Sequence, residues 1–114
     1  MTETQIQSSI IDYLQVLENQ GKLFLHRVNN MGVYDPKRKA YRVFPKGAKK
    51  GFPDIIVIKN GLLIGLEVKT GKGKQSNNQK EVEKELKKHG ADYFVVRSLE
   101  DAIKIIEGVN NGYK

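Results

Sequence analysis

The segment "GFPDIIVIKNGLLIGLEVKTGKGK", residues 51–74, consists of two apolar runs joined by the dipeptide Asn-Gly at positions 60–61. Asn-Gly between alternating apolar residues is the strongest short-range signal for a hairpin with a two-residue type I′ turn. The turn fixes the register, because the residues on either side of it then pair with each other. Asp54 consequently falls directly opposite Glu67. The sequence therefore predicts a pair of facing carboxylates at the open end of the hairpin.

The facing carboxylates need a nearby positive charge. Like charges whose Cβ atoms are about 4.5–5.5 Å apart destabilise a sheet. Lys69 lies two residues after Glu67 and so shares its face. Two oxygen-rich groups on rigid strands also suit a hard divalent cation such as Mg²⁺. An isolated pair of this kind is otherwise explained by a solvated surface hairpin, and the residues around it decide between the two readings.

Length and composition indicate the class of protein. A chain of 114 residues is one domain, residues 1–114, of ordinary size. It has no apolar run of about 18 residues for a membrane span. The N-terminal "MTETQIQSSI" lacks the basic and apolar regions of a signal peptide. We therefore expect a soluble intracellular protein with no membrane partner. Cysteine is absent, which excludes disulfides, a thiolate nucleophile and Cys-based zinc sites.

Positive charge is concentrated around the hairpin. The net charge is +7 and the isoelectric point is near 9.6, which favours a polyanionic partner. Residues 36–51 hold seven Lys or Arg and no acid. Any one of these side chains is explained as surface charge, but together they would neutralise several phosphates and make binding salt-dependent. The candidate phosphate contacts are Arg27, Lys46, Lys49, Lys50, Lys72 and Lys74.

The periodicity predicts an α/β fold. Apolar spacing and caps indicate helices over residues 4–18 and 76–90 and from residue 98, and strands over residues 22–28 and 92–96. Two short strands around an Asp-Pro turn at residues 35–36 would precede the hairpin. The result is a mixed β-sheet flanked by helices, with strand 92–96 parallel to the end of the hairpin. Both faces of the hairpin are apolar, so we expect both to be covered, with His26 at the core or its rim.

Three sequence segments closely resemble the VRR-NUC family of PD-(D/E)XK nucleases, and in particular its small stand-alone virus-type members. They are "GFPD" (51–54), "LEVKTGKGKQSNNQ" (66–79) and "ADYFVVRSLED" (91–101). The resemblance covers nearly the whole chain. It implies a restriction-endonuclease-like core with the order αβββαβ and a C-terminal helix.

The resemblance also implies roles for the hairpin residues. Asp54, Glu67 and the main-chain carbonyl of Val68 would bind Mg²⁺ or Mn²⁺. Lys69 would position or activate water and stabilise charge at the phosphate. An ordinary ion pair with Glu67 is the alternative explanation for Lys69.

Two further candidate catalytic residues lie on helices. Gln79 completes a capping box with Ser76, and the family pattern also places a Gln near the site, so the two roles can coexist. Glu3 resembles an acid that the family carries in its first helix. A favourable acid near a helix N-terminus explains Glu3 equally simply.

The implied activity is that of a divalent-metal-dependent DNA endonuclease. By resemblance it would act as a homodimer on branched DNA such as four-way (Holliday) junctions. Its role would be in phage or viral replication, recombination or repair, and its location would be the cytoplasm of a bacterial host. The alternatives are a basic module that binds nucleic acid without cutting it, and a nuclease of the same fold acting on flaps, ends or RNA.

Residues 71–74 lack phosphate-loop spacing, so no nucleotide cofactor is expected. Tyr34, Tyr41 and Phe44 would either stack on exposed bases or pack.

Overall fold

The structure is a computed structural model that describes residues 1–28, 34–41 and 46–112. The predicted order of elements is confirmed, including the short strands on either side of the Asp-Pro turn. Phe44 and the side chains of Tyr34 and Tyr41 lie outside the described part of the chain. The elements are α1 (Glu3–Asn19), β1 (Phe24–Arg27), β2 (Tyr34–Asp35), β3 (Ala40–Tyr41), β4 (Ile55–Lys59), β5 (Leu62–Val68), α2 (Asn77–Lys88), β6 (Asp92–Val96) and α3 (Leu99–Gly112).

The main sheet has four strands in the order β1-β4-β5-β6. β4 is antiparallel to β1 and β5, and β6 is parallel to β5. Lys59 pairs with Leu62, as the turn predicts. Asn60 and Gly61 have φ of 53° and 78°, and a type I′ turn requires positive φ at both positions. The predicted register is therefore confirmed. β2 and β3 form a separate hairpin.

One face of the sheet, here called the core face, carries the hydrophobic core. Ile55, Val57, Ile64 and Leu66 point to this face and are fully buried. Apolar residues of α1 and α3 pack against them, because both helices place a buried aliphatic stripe toward the sheet. The helix residues in this core are Ile6, Ile10, Leu14, Ala102, Ile106 and Val109.

The opposite face, here called the α2 face, is covered over only part of its area. α2 lies against β6, and Pro53 lies over Gly65 of β5. Phe24 remains 58% exposed and Ile58 40% exposed, and His26 is also exposed. The expectation that both faces are covered, with His26 at the core or its rim, is wrong toward β1, because α2 packs against β6 at the opposite edge of the sheet.

Among the described residues, none of the helices combines the length and the hydropathy needed to span a bilayer.

Candidate active site

The Gly-x-Pro-Asp motif folds tightly because two of its residues make close contacts. Gly51 has φ of 89°, and a Cβ there would lie 2.6 Å from the main-chain carbon of Asn78 and 2.7 Å from the Gln79 nitrogen. Only glycine fits this position. On the other side, a Cβ on Gly65 would lie 2.5 Å from Cγ of Pro53. The motif is thus held between the start of α2 and the middle of β5.

Asp54 is held where this segment enters β4. Its Oδ2 accepts a hydrogen bond from the main-chain N–H of Val68 at 2.9 Å. Its main-chain carbonyl accepts one from the N–H of Val28 at 2.8 Å. The carboxylate therefore sits beside the end of β5, next to the residue whose carbonyl is a candidate metal ligand.

Glu67 is the buried member of the carboxylate pair, with 3% of its surface exposed. Its Oε2 accepts a hydrogen bond from Nε2 of Gln79 at 2.8 Å and lies 3.7 Å from Nζ of Lys69. Within the described part of the chain, its Oε1 is buried and has no hydrogen-bond partner. A buried carboxylate oxygen without a donor is costly, so this oxygen is suited to a cation or a proton.

Gln79 uses both ends of its amide. Its Oε1 accepts a hydrogen bond from the N–H of Ser76 at 2.8 Å, which completes the capping box at the start of α2. Its Nε2 donates to Glu67. Helix capping and contact with the carboxylate pair therefore coexist at this residue.

The electrostatic environment of Glu67 favours its protonated form when no metal is bound. The pKa of its carboxyl is raised to about 8, first because burial disfavours the charged form and second because Asp54 is negative and close. Lys69 lowers the pKa of Glu67, whereas a hydrogen bond with Asp54 and the charge of Glu3 raise it. The structure thus brings the four residues predicted around this site, Asp54, Lys69, Gln79 and Glu3, within electrostatic or hydrogen-bonding reach of Glu67.

The donor set suits Mg²⁺ or Mn²⁺. In the described ranges, no three His, Cys, Asp or Glu side chains are grouped closely enough to hold a metal alone. Mg²⁺ does not need such a group, because it keeps several waters and binds through one or two carboxylates together with substrate phosphates. Hard oxygen atoms of this kind are present in Glu67 Oε1, which has no hydrogen-bond partner in the described ranges, in the Asp54 carboxylate and in the carbonyl of Val68.

The predicted phosphate contacts divide among three places, and all are exposed. Lys72 and Lys74 follow β5 in the loop that begins directly after Lys69. Lys49 and Lys50 line a groove against α2, and Lys46 lies shortly before them. Arg27 pairs with Ile55 across β1 and β4 and therefore points to the core-face side, away from Glu67.

Arg97 contributes to this region and was not among the predicted residues. It follows β6, and its guanidinium donates to the carbonyls of Gly71 at 3.0 Å and Gly73 at 2.9 Å. Gly73 in turn approaches the stem of Lys69, because a Cβ there would lie 3.7 Å from Lys69 Cβ and Cδ. The two hydrogen bonds from Arg97 thus restrain the loop that carries Lys72. The only sequence signal was an arginine at the end of a strand parallel to β5.

Comparisons with solved structures give the same fold. A chain titled "VRR_NUC domain protein" superposes with a TM-score of 0.71 and 21% identity over 98% of this chain and 91% of its own. A second, titled "VRR_NUC domain", has a TM-score of 0.61 and 21% identity over 98% of this chain and 97% of its own. No protein-family model and no curated protein sequence matches the chain.

These likenesses assign a fold of the PD-(D/E)XK type, a mixed sheet flanked by helices. Within that class, the chain has the fold of VRR_NUC domains over nearly its whole length. The resemblance predicted from the sequence is confirmed at the level of the fold.

Proposed function

We propose that this protein is a divalent-metal-dependent nuclease that hydrolyses phosphodiester bonds in DNA. The observation that carries the proposal is the buried Glu67. Its Oε1 has no hydrogen-bond partner among the described residues, and its carboxyl faces Asp54 with Lys69 alongside. A structural ion pair alone would not place a second carboxylate against the first. The likeness in fold to VRR_NUC domains supports the same conclusion.

The chemistry follows from the positions of the side chains. Asp54, Glu67 and the Val68 carbonyl would hold the cation, and Gln79 keeps the Glu67 carboxylate oriented through its hydrogen bond. Bound Mg²⁺ or Mn²⁺ supplies a water of lowered pKa and positive charge at the phosphate. Lys69 adds a compact positive charge close to the carboxylates, where charge develops on the phosphate oxygens. Glu3 contributes negative charge at the edge of the site.

Branched DNA such as a four-way junction is the proposed substrate, and a homodimer the proposed assembly. A junction has near-two-fold symmetry and requires paired cuts, which one small domain cannot make at once, whereas a symmetric dimer presents two equivalent sites. The resemblance to virus-type members supports a role in phage or viral replication, recombination or repair. Light scattering at micromolar protein tests the assembly, and a monomer would contradict that part of the proposal.

The test of the activity is cleavage of labelled four-way, flap and linear DNA in Mg²⁺, Mn²⁺ or EDTA. We expect metal-dependent cutting that is lost in Asp54→Asn and Lys69→Ala. Asp12→Asn and Lys80→Ala, at exposed positions on α1 and α2, are matched controls that should cut normally. DNA binding without cutting in any metal would instead identify a non-catalytic binding module. Preferential cutting of flaps, ends or RNA would keep the enzyme and change its substrate.

Metal binding can be measured independently of cleavage. A ligand that binds only the folded state stabilises it by about 2.7 kcal/mol at a hundred times its Kd. Mn²⁺ should therefore raise the melting temperature of the wild-type protein and have much less effect on Asp54→Asn. An equal shift in both proteins would argue against Asp54 as a ligand.

A further inference from the structure

The part of the α2 face that no described residue covers forms an apolar strip beside the candidate active site. The strip consists of Phe24 and His26 on β1 and Ile58 on β4. Phe24 is 58% exposed and Ile58 40% exposed, and they are direct cross-strand neighbours, as are His26 and Ile56. Exposed apolar residues that adjoin each other on one face mark an interaction surface more often than isolated ones do.

The strip lies on the same face as the carboxylate pair. Cross-strand partners share a face, and alternate residues along a strand do too. Ile58 pairs with Leu63, which is on the same face of β5 as Glu67. Phe24 lies four residues before Val28, whose N–H bonds to the carbonyl of Asp54. At about 3.3 Å per residue, the ring is about 13 Å from the site along the strand direction.

Positive charge borders the strip on the side toward α2. Leu63 forms part of the floor of a groove of about 660 Å³ that is also lined by Lys49, Lys50 and Phe52. Neither lysine forms an ion pair with a described acidic side chain. Glu81 and Glu85 of α2 also line this groove, so a phosphate backbone should lie nearer to the two lysines than to these two carboxylates.

We propose that the apolar strip binds unpaired nucleotides of the DNA strand that occupies the active site, with bases stacked on Phe24 and His26 and phosphates near Lys49 and Lys50. The inference rests on the proposed function and narrows its substrate to branched DNA that exposes unpaired nucleotides at or near the branch point. Aromatic rings beside cationic side chains are the usual platform for single strands, because every base has a face that can stack. A fully paired duplex keeps its bases inside and cannot use the strip.

The absence of tryptophan from the chain allows a direct test. Phe24→Trp introduces a single fluorophore on the strip. Val16→Trp provides a matched control on α1, where Val16 is 54% exposed on the helix that covers the core face. In EDTA, which prevents cleavage, we expect oligo-dT to quench the emission of Phe24→Trp and a fully paired duplex to quench it much less. Val16→Trp should respond to neither DNA.

Affinity measurements with Phe24→Ala complete the test. Base stacking on one aromatic ring is worth enough that its loss should weaken oligo-dT binding about 5- to 150-fold. Duplex binding should be unchanged, and Phe24→Tyr should restore the affinity for oligo-dT. Equal losses for both DNAs, or no loss for oligo-dT, would overturn the proposal. Conversion of a dimer to a monomer by Phe24→Ala, measured by light scattering, would assign the strip to a second copy of the chain and also overturn it.

These experiments distinguish failure of the proposal for the apolar strip from failure of the proposed nuclease function. If wild type and Phe24→Ala both cut branched DNA and bind oligo-dT equally well, the nuclease proposal stands and the proposal for the apolar strip fails. A protein that binds single strands through Phe24 but cuts no DNA in any metal retains the strip and loses the nuclease proposal.

Discussion

The two faces of the four-stranded sheet differ in what their side chains contact. On the core face, Ile55, Val57, Ile64 and Leu66 are fully buried against α1 and α3. On the α2 face, the same strands carry Glu67 and Gly65 at one end and the exposed Ile58 at the other. The core face supplies stability, whereas the α2 face holds a buried carboxylate oxygen that has no hydrogen-bond partner among the described residues and an apolar side chain that is partly exposed. The difference favours the α2 face as the location of the proposed binding and catalysis, because changes there would leave the core face intact.

The largest expected effect concerns stability. Leu66→Ala removes a fully buried side chain from the core face and should lower the free energy of unfolding by about 2–5 kcal/mol. Ile58→Ala, on the strip of the α2 face, should cost less than about 1 kcal/mol because that side chain is already partly in water. Urea unfolding curves compare the two. Similar losses in both variants would show that the faces do not differ in this way.

The second prediction concerns the pH dependence of the metal-free protein. The pKa of Glu67 in the folded state is raised to about 8, above the value of about 4.3 for an exposed Glu. The protonated carboxyl of Glu67 therefore stabilises the folded state relative to an ionised one. This stabilisation is fully present below pH about 4.3 and is lost as the pH rises to about 8, because the carboxyl of the unfolded chain ionises first. Between about pH 5 and about pH 8, Glu67→Gln should gain on the order of 2 kcal/mol relative to wild type in EDTA.

Urea unfolding across that pH range measures this difference, with Glu100→Gln at an exposed position of α3 as the control. A constant difference between Glu67→Gln and wild type would show that Glu67 titrates normally.

A smaller effect is expected from the loop after β5. Arg97→Ala removes the two hydrogen bonds to the carbonyls of Gly71 and Gly73. DNA affinity should fall about fivefold, equivalent to about 1 kcal/mol. Arg97→Lys keeps the charge but loses the fork geometry and should recover only part of the affinity. Lys104→Ala, an exposed charge on α3, is the control. Full recovery by Arg97→Lys would mean that charge alone matters there.

The smallest expected effect is a difference in the salt dependence of DNA binding between Lys72 and Lys74, in the loop after β5, and Arg27, on the core-face side. If Lys72 and Lys74 each contact a phosphate, Lys72→Gln or Lys74→Gln should reduce the slope of log affinity against log salt by about 0.9. Arg27→Gln should reduce it less, because Arg27 points to the core-face side. DNA titrations at several salt concentrations give the slopes. Equal slope changes for all three variants would remove the distinction between the faces.

Sequence patterns predicted the register of the hairpin because Asn60-Gly61 dictates a turn of fixed length. The opposition of Asp54 and Glu67 followed from that turn. The capping role of Gln79 followed from its spacing after Ser76, whereas its position near the site followed from the family resemblance. The exposure of Phe24 could not be predicted, because a strand pattern does not show how far a helix extends across the sheet. The contacts of Arg97 could not be predicted from the sequence either, because they join its side chain to carbonyls of a glycine-rich loop that has no periodicity.

The position of both carboxylates on one hairpin has a consequence for the order of events in folding. Hairpins form in about 1–10 μs, so we expect Asp54 and Glu67 to come together through local contacts before α2 docks and before β6 pairs with β5. If both groups are ionised at that stage, their repulsion should slow folding more than it speeds unfolding. A divalent cation that neutralises the pair would then accelerate folding, in addition to its proposed part in catalysis.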